Sequence, residues 1–364
     1  RIEFSEPFES VTRYIDGKSN PDTPPVIKTD RDLKLHYKFA DSKEPLYIKV
    51  AISMVDPEGA AKNMTAELPG WDFDATRTRS ADIWNNALSA IEIQADSTVM
   101  VNFYTALYHT MIAPFAYQDA DGRYRGLDKQ VHQAEEGYTN YSVFSLWDTF
   151  RAFQPLMTII NPELAADWGK VLVKGYEQGG ILPKWPIGSS YTGCMVGYPA
   201  VAVLADLACK GLADSANIAT WAEAGAASSV YRPDLAEKFK GTRELDLVTM
   251  HPYYKEKYGF VPADSVSESV SWGLEMAYED WCVSQLAAKA GMDSLAKAYA
   301  AKGEYYKRYL DPETKMMRPI MGDGKFRTPF NPRYSAHMKS DYTEGNAFQW
   351  SFFAPHDMDN FIET

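Results

Sequence analysis

The stretch Ser340–Asp357, SDYTEGNAFQWSFFAPHD, sets one glutamate, Glu344, beside two carboxamides, Asn346 and Gln349, and a row of large aromatics. Two kinds of chemistry fit. Asp341 stands three residues before Glu344, which is the spacing of a helix capping box, so Glu344 can fold back on the first amides of its helix. A carboxyl group among aromatic rings is also one whose pKa rises by desolvation, which suits a general acid. A solvated cap has no need of so many amides and rings.

Other segments carry similar ambiguities. Ser265 and Glu268 in SVSESVSW repeat the capping spacing ahead of a long helical pattern. Trp147 and Asp148 in FSLWDTFR open another helix. Asp148 can pair with Arg151 one turn on, or it can act with Trp147 as a sugar clamp, the indole stacking on the ring and the carboxylate accepting from two hydroxyls. YQDADGRYRGLD has Asp119, Asp121 and Gly122 in the manner of a calcium loop but lacks the closing glutamate, so a tight Asp-Gly turn explains it better. His356 and Asp357 can be read as a catalytic or metal pair; following Pro355 they equally stop one helix and cap the next, and that reading is preferred. No Gly-x-Ser-x-Gly, His-x-x-x-His or phosphate-binding glycine loop occurs.

These residues need elements to hold them. Up to Pro69 the chain alternates polar and apolar residues, as in LKLHYKFA and LYIKVAISMV, which reads as antiparallel strands, with NPDTPP as a proline-rich loop. Beyond ELPGWDFD the period becomes helical: TRSADIWNNALSAIEI puts Ala81, Trp84, Leu88 and Ile91 on one face. Some later helices are apolar nearly all round, such as YPAVAVLADLACKG, and must be buried on all sides; others, such as SLAKAYAAKGEYYKRYL, keep a polar face. Two concentric rings of helices give that alternation, and a helical solenoid would look alike.

With 45% hydrophobic and 24% charged residues, the 364-residue chain has ample material for a core. Its net charge of -12 argues against nucleic acid and anionic membranes as partners. No apolar run is long enough to span a bilayer. Cys194, Cys209 and Cys282 are odd in number and have no metal-type spacing; they read as free thiols, with one disulfide among them left open. RIEFSEPFESV reads as strand in mid-domain, so the chain is expected to begin inside a larger protein. Asn63 heads an N-M-T sequon, of consequence only in a eukaryotic host.

Together the segments FYTALYHTMIAPF, DADGRYRGLD, YSVFSLWDTFRAFQPL, GGILPKWP, TGCMVGYPAVAVLAD, GFVPADSVSESVSWGLEMAYEDWC and DYTEGNAFQWSFFAPHD resemble glycoside hydrolase family 92 in order and spacing. The resemblance runs from about Trp71 to the end, and VAISMVDPEGAAKNMTAELPGWDFD is similar to the family's sandwich-to-barrel junction.

It implies a multidomain α+β protein: the C-terminal part of an N-terminal β-sandwich over residues 1–70, linker helices over 71–96, and an (α/α)6 barrel over 97–364, incomplete at its C-terminus. It also implies an inverting, Ca2+-dependent exo-α-mannosidase acting on mannose-containing glycans outside the cytoplasm, periplasmic or secreted. Glu344, in the T-E-G-N motif, is then the general acid. Trp147, Asp148, Glu268 and Asn346 are expected to bind substrate in the same cavity. The family's catalytic base and its Gly-Asn-Glu-Pro motif, near which calcium ligands are expected, have no match before Thr364, so this fragment alone is expected to be inactive. Tyr191 stands where relatives have an acidic residue, which bears on leaving-group specificity. Two alternatives are another inverting (α/α)6 enzyme, a glucosidase or disaccharide phosphorylase, and a sugar-binding fragment without turnover.

Overall fold

The computed structural model describes residues 1–15, 18–19 and 33–363, so NPDTPP lies outside the described residues. The chain divides into two compact units: residues 1–87 with 119–123, and residues 88–118 with 124–364.

In the first unit the alternating runs do form antiparallel strands. β1 (Ile2–Phe4) pairs with a later strand, and β2 (Ser10–Ile15) lies between β3 (Lys18–Ser19) and β4 (Leu33–Lys38). β2 and β4 run in register from Ser10 opposite Lys38 to Tyr14 opposite Lys34. The partner of β1 is β5 (Ile48–Val50), with Phe4 opposite Ile48. Aromatic rings join the two small sheets: Phe4 lies 4.8 Å from Tyr37 and 5.0 Å from Phe39.

The strand expected over LYIKVAISMV is cut short at Val50, and helix begins ahead of Pro69, at α1 (Pro57–Glu67). Asp56 caps α1 by accepting from the Gly59 N–H at 2.7 Å, and Pro57 occupies the first turn, where its missing N–H costs nothing. α1 also holds the turn read as calcium-like. Asp119 accepts from Asn63 Nδ2 at 2.9 Å and from Ser53 Oγ at 2.7 Å, and the Ala120 N–H donates to Asn63 Oδ1 at 2.7 Å. Asp121 pairs with Arg123 at 2.9 Å and Lys62 at 3.1 Å. These carboxylates are therefore taken up by protein partners, and Gly122 (φ 83°) makes the turn. A side chain at position 59 would meet Asp119 Oδ2 at 2.1 Å, so the close approach requires glycine.

α2 (Phe73–Leu88) is helical as read, but none of its residues is buried. Its apolar stripe is half-buried at Trp84 and Leu88, Ala81 is exposed, and Ile91 lies beyond its end.

The second unit holds the core. α3 (Ser97–Thr110) is capped by Asp96, and α4 (Leu146–Thr149) and α5 (Phe153–Ile160) break what reads as one helix. α6 (Pro162–Gly179) starts at an Asn161 cap and ends at Gly180 in the left-handed region, φ 91°. α7 (Ala200–Cys209), α8 (Ile218–Ser228), α9 (Pro233–Lys238) and α10 (His251–Tyr258) follow. Then come α11 (Ser269–Lys289), α12 (Asp293–Gly303), α13 (Ala347–Trp350) and α14 (Met358–Glu363).

Eight of the ten residues of α7 are buried, as its composition demands, and sixteen of the 21 residues of α11. α11 packs against α7, α8, α10 and α12, so it is the axis of this unit. α12 exposes a polar face. Cys194 and Cys209 are exposed, Cys282 is buried, and all three are free.

A polar tie anchors α11 to α10. Lys255 donates to both oxygens of Asp280 at 2.9 and 2.8 Å, the Tyr198 hydroxyl donates to Asp280 at 2.6 Å, and all three side chains are buried. Removing one member of such a pair leaves a buried charge uncompensated. Lys255→Met should therefore lose about 3–5 kcal/mol in urea unfolding, and adding Asp280→Leu should recover much of it. Equal loss in the single and double variants would disprove the pairing.

Candidate active site

The first N–H groups of α11 are not met by a side-chain cap. The Glu268 N–H donates to the Ser340 carbonyl at 2.8 Å, and those of Val270 and Ser271 donate to the Asp341 carbonyl at 3.0 and 3.4 Å. In return the Thr343 N–H donates to Ser271 Oγ at 2.7 Å. The Ser340–Thr343 segment thus closes the helix end, satisfying groups that would otherwise be orphaned.

Both capping boxes read from the sequence are corrected by this. Glu268 is the residue before α11, but it lies in the left-handed region (φ 55°) and its side chain makes no cap bond. The Asp341 side chain caps no helix: its carboxylate takes Arg327 at 2.7 Å and Ser269 Oγ at 3.1 Å, and burial pushes it up while Arg327 pulls it down. The box near Glu344 belongs to the next pair at the same spacing. Asn346 accepts from the Phe348 N–H at 3.0 Å, and Gln349 Oε1 accepts from the Asn346 N–H at 2.8 Å. Asn346 is therefore the structural cap of α13.

Glu344 is left at the tip of the preceding turn, exposed and at φ 47°. Of the rings expected around it, Trp350 and Tyr342 are used as core. Trp350 donates its indole N–H to the Thr343 carbonyl at 2.8 Å, and Tyr342 donates its hydroxyl to the Met317 carbonyl at 2.7 Å. Val143 (φ 69°) and Met195 (φ 69°) also hold left-handed backbone, in the segments that lead to Trp147 and follow Cys194. Such conformations cost about 1–3 kcal/mol each and cluster at functional sites.

Trp147 is half-buried and lies against α13, the helix that follows the Glu344 turn: its ring stacks on Trp350 at 6.4 Å and 15°. Its N–H donates to Glu275 Oε1 at 2.7 Å, and Arg151 reaches the same oxygen at 2.7 Å. Arg151 therefore pairs with Glu275 on α11, not with Asp148 as a local helix pair would have it. Asp148 is exposed and accepts from Ser145 Oγ, which in turn accepts from the Trp185 indole at 2.6 Å. Trp147, the Glu344 turn and the end of α11 thus form one contact network, with Asp148 at its exposed rim.

Sequence reasoning missed three members. Glu275 and Glu279 are wholly buried acids one turn apart on α11, and burial raises both. They stand at i, i+4 on a helix that also carries Asp280, a spacing that by itself does not report burial. A side chain at Gly197 (φ 71°) would meet Glu279 Oε1 at 2.3 Å, which fixes glycine there. The third is Lys184, from GGILPKWP, only 2% exposed with its ammonium 4.5 Å from the centre of the Trp272 ring. His251 stacks on the same ring at 4.1 Å, and burial pushes it down to about 4. A loop lysine gives no periodic signal of burial.

Two further candidates are structural. Tyr191 is buried, its hydroxyl donating to the Gly175 and Ile181 carbonyls at 2.8 and 2.9 Å, in a small cluster with Leu235, Phe239 and Leu247. His356 lies 2.9 Å from the Gly303 carbonyl and Asp357 accepts from the Tyr306 hydroxyl at 2.7 Å, so both tie the last helices together. Among the described residues no three His, Cys, Asp or Glu side chains gather to hold a metal ion.

Burial pushes the Lys184 ammonium from its ordinary 10.5 down to about 8, against the pull of Glu279. Between those values the unfolded chain holds more protons than the folded one, so stability rises with pH across the window. Lys184→Met should be more stable than the wild type at pH 7, and its advantage should shrink from about pH 8 to 10.5. A constant difference from pH 7 to 10.5 in denaturant titrations would refute the assignment.

Comparison with known proteins places these features in a family. The glycosyl hydrolase family 92 catalytic domain matches residues 59–364. A solved family 92 alpha-mannosidase of Bacteroides thetaiotaomicron superposes with a TM-score of 0.86 at 33% identity, covering 99% of this chain and 47% of that one. That protein has also been solved in complex with mannoimidazole. A family 92 inverting mannosidase of the same organism gives a TM-score of 0.86 at 26% identity, over 100% of this chain and 48% of that one. In sequence, an uncharacterized secreted glycosidase of Arthroderma benhamiae is 23% identical across 96% of this chain and 45% of its own length. The chain spans about half the length of these relatives. With most of its residues matched by the catalytic domain and a third of them identical to a solved member, the chain belongs to glycosyl hydrolase family 92.

Proposed function

We propose that this chain is the acid-bearing part of an exo-α-mannosidase that releases terminal α-linked mannose from glycans with inversion. The observation that carries the reading is the joining of Ser340–Thr343 to the start of α11, with Trp147 stacked on Trp350, which gathers Glu344, Glu268 and Trp147 from distant parts of the sequence. The two Bacteroides mannosidases support the substrate class. In the proposed architecture the helices of the second unit belong to an (α/α)6 barrel and the strands of the first to a β-sandwich. The protein acts outside the cytoplasm, in keeping with the relative named as secreted.

In this mechanism Glu344 delivers its proton to the glycosidic oxygen as the bond to the anomeric carbon breaks, while a base activates water on the opposite face. Inverting enzymes set the two carboxyl groups roughly 6.5–9.5 Å apart to admit that water. Trp147 offers a face for the sugar ring, and Asp148 and Glu268 accept from its hydroxyls. The base is proposed to come from the part of the relatives' length that this chain does not span. Calcium dependence enters from the family resemblance alone. Among the described residues no three His, Cys, Asp or Glu side chains gather; the ion's ligands are assigned to that same unspanned part, and no step is routed through it.

The exposure of Glu344 in this chain favours a second reading for residues 1–364 taken alone: sugar binding without turnover.

Two experiments on the longer protein carrying this chain test the proposal. Glu344→Gln should fold normally and lose about 10²–10⁴-fold in turnover of natural mannosides, because an amide cannot donate the proton. The loss should be smaller for a dinitrophenyl mannoside, whose leaving group needs no acid; equal losses on both substrates would sink the assignment. Mannose release should also stop with a chelator and return with Ca2+, and activity that survives exhaustive chelation would remove the ion from the proposal.

A further inference from the structure

We infer that Glu275 is a positioning residue: a wholly buried carboxylate whose one oxygen holds the Trp147 indole and Arg151, and thereby orients the sugar platform against the turn that carries Glu344. The inference rests on the reading of Trp147 and Glu344 given above and adds a residue that touches neither sugar nor proton.

The geometry is asymmetric. Glu275 Oε1 accepts two hydrogen bonds, from Trp147 Nε1 and from Arg151, each at 2.7 Å. Its other oxygen, Oε2, is buried without a hydrogen-bond partner, as is Glu279 Oε1 one turn on. A buried carboxylate bonded through one oxygen alone is a costly arrangement for the fold. Replacing a buried ion pair as a whole by apolar side chains is often neutral or stabilising. What leucine could not do is fix the direction of the Trp147 N–H.

That direction matters because the indole plane follows from it. With Nε1 held from beneath by α11, the Trp147 ring lies nearly parallel to Trp350 at 15°. Arg151, held by the same oxygen, sits 5.4 Å from the Trp147 ring and 5.0 Å from Phe353. Trp350 in turn grips the Thr343 carbonyl, next to Glu344, at 2.8 Å. A single oxygen on α11 thus sets the tilt of the platform and, through the stack, its register with the acid. Freed from Glu275, the half-buried indole would satisfy its N–H with water and rotate.

The test compares Glu275→Gln and Glu275→Leu in the longer protein that carries this chain. Glutamine keeps an acceptor oxygen at the same reach; leucine keeps only the volume. The leucine variant should fold, since the freed Arg151 side chain is exposed and can return to water, but lose the near-ultraviolet circular dichroism band of the stacked Trp147–Trp350 pair. Its kcat/KM for an aryl mannoside should fall by about 10²-fold, the scale of a misplaced reacting group. Glutamine should restore both the band and most of the rate.

A leucine variant that is folded and keeps both band and rate overturns the inference. If leucine does not fold, the indole N–H resonance of Trp147, assigned by its loss in Trp147→Phe, decides it. Slow exchange with solvent, and a shift in Glu275→Gln, support the contact; fast exchange in the wild type overturns it. Should the wild type release no mannose, the mannosidase reading fails, while the dichroism and exchange measurements still decide Glu275.

Discussion

A helix buried along most of its length cannot leave its first N–H groups without acceptors, since no water is there to replace them. α11 is such a helix, and its N-terminus is closed by backbone carbonyls of Ser340 and Asp341. The rest of the site depends on that closure. It fixes where the following turn leaves the core, hence where Glu344 projects and where Trp350 can reach Thr343. Trp147 then completes the arrangement from a third segment, held to α11 by Glu275. The acid candidate is exposed, but its position is set by interactions that are almost wholly buried.

The price appears in groups held away from their preferred states. Lys184 is charged at neutral pH in a place that disfavours charge, and Glu275 and Glu279 each have one oxygen with no partner. Glu268 and Glu344 occupy left-handed backbone without being glycine. A sequence selected for stability alone would relieve each of these cheaply. Their convergence on the ends of α4 and α11 and on the Glu344 turn separates this region from the small Tyr191 cluster, where every noted polar group is satisfied.

Much of this was legible in the residues, and the illegible part has physical causes. α6, α7 and α11 were readable because composition and 3.6-residue periodicity agree over many turns. α1 carried its own signals in Asp56, Pro57 and Glu58 and was masked by the strand-like run before it. The capping boxes failed because caps are chosen by competition: Asp341 and Glu344 offer the same spacing as Asn346 and Gln349, and only the tertiary partners of Asp341, Arg327 and Ser269, decide between them. Trp147, Asp148 and Glu344 stood out by type. Glu275 and Lys184 did not, since what distinguishes them is the absence of water, which no local pattern reports.

The bonding of Asn63 has a consequence for making the protein. Its side-chain amide donates to the Ile52 carbonyl and to Asp119, and its oxygen accepts from Ala120, so the residue is sealed between α1 and the Asp119–Arg123 turn. Asn63 also heads an N-M-T sequon. In a eukaryotic secretory host the acceptor is read on the emerging chain, before that seal forms, and an oligosaccharide attached there would leave no room for the turn to dock. Production in such a host sets folding against glycosylation at a single nitrogen, a contest that bacterial production avoids.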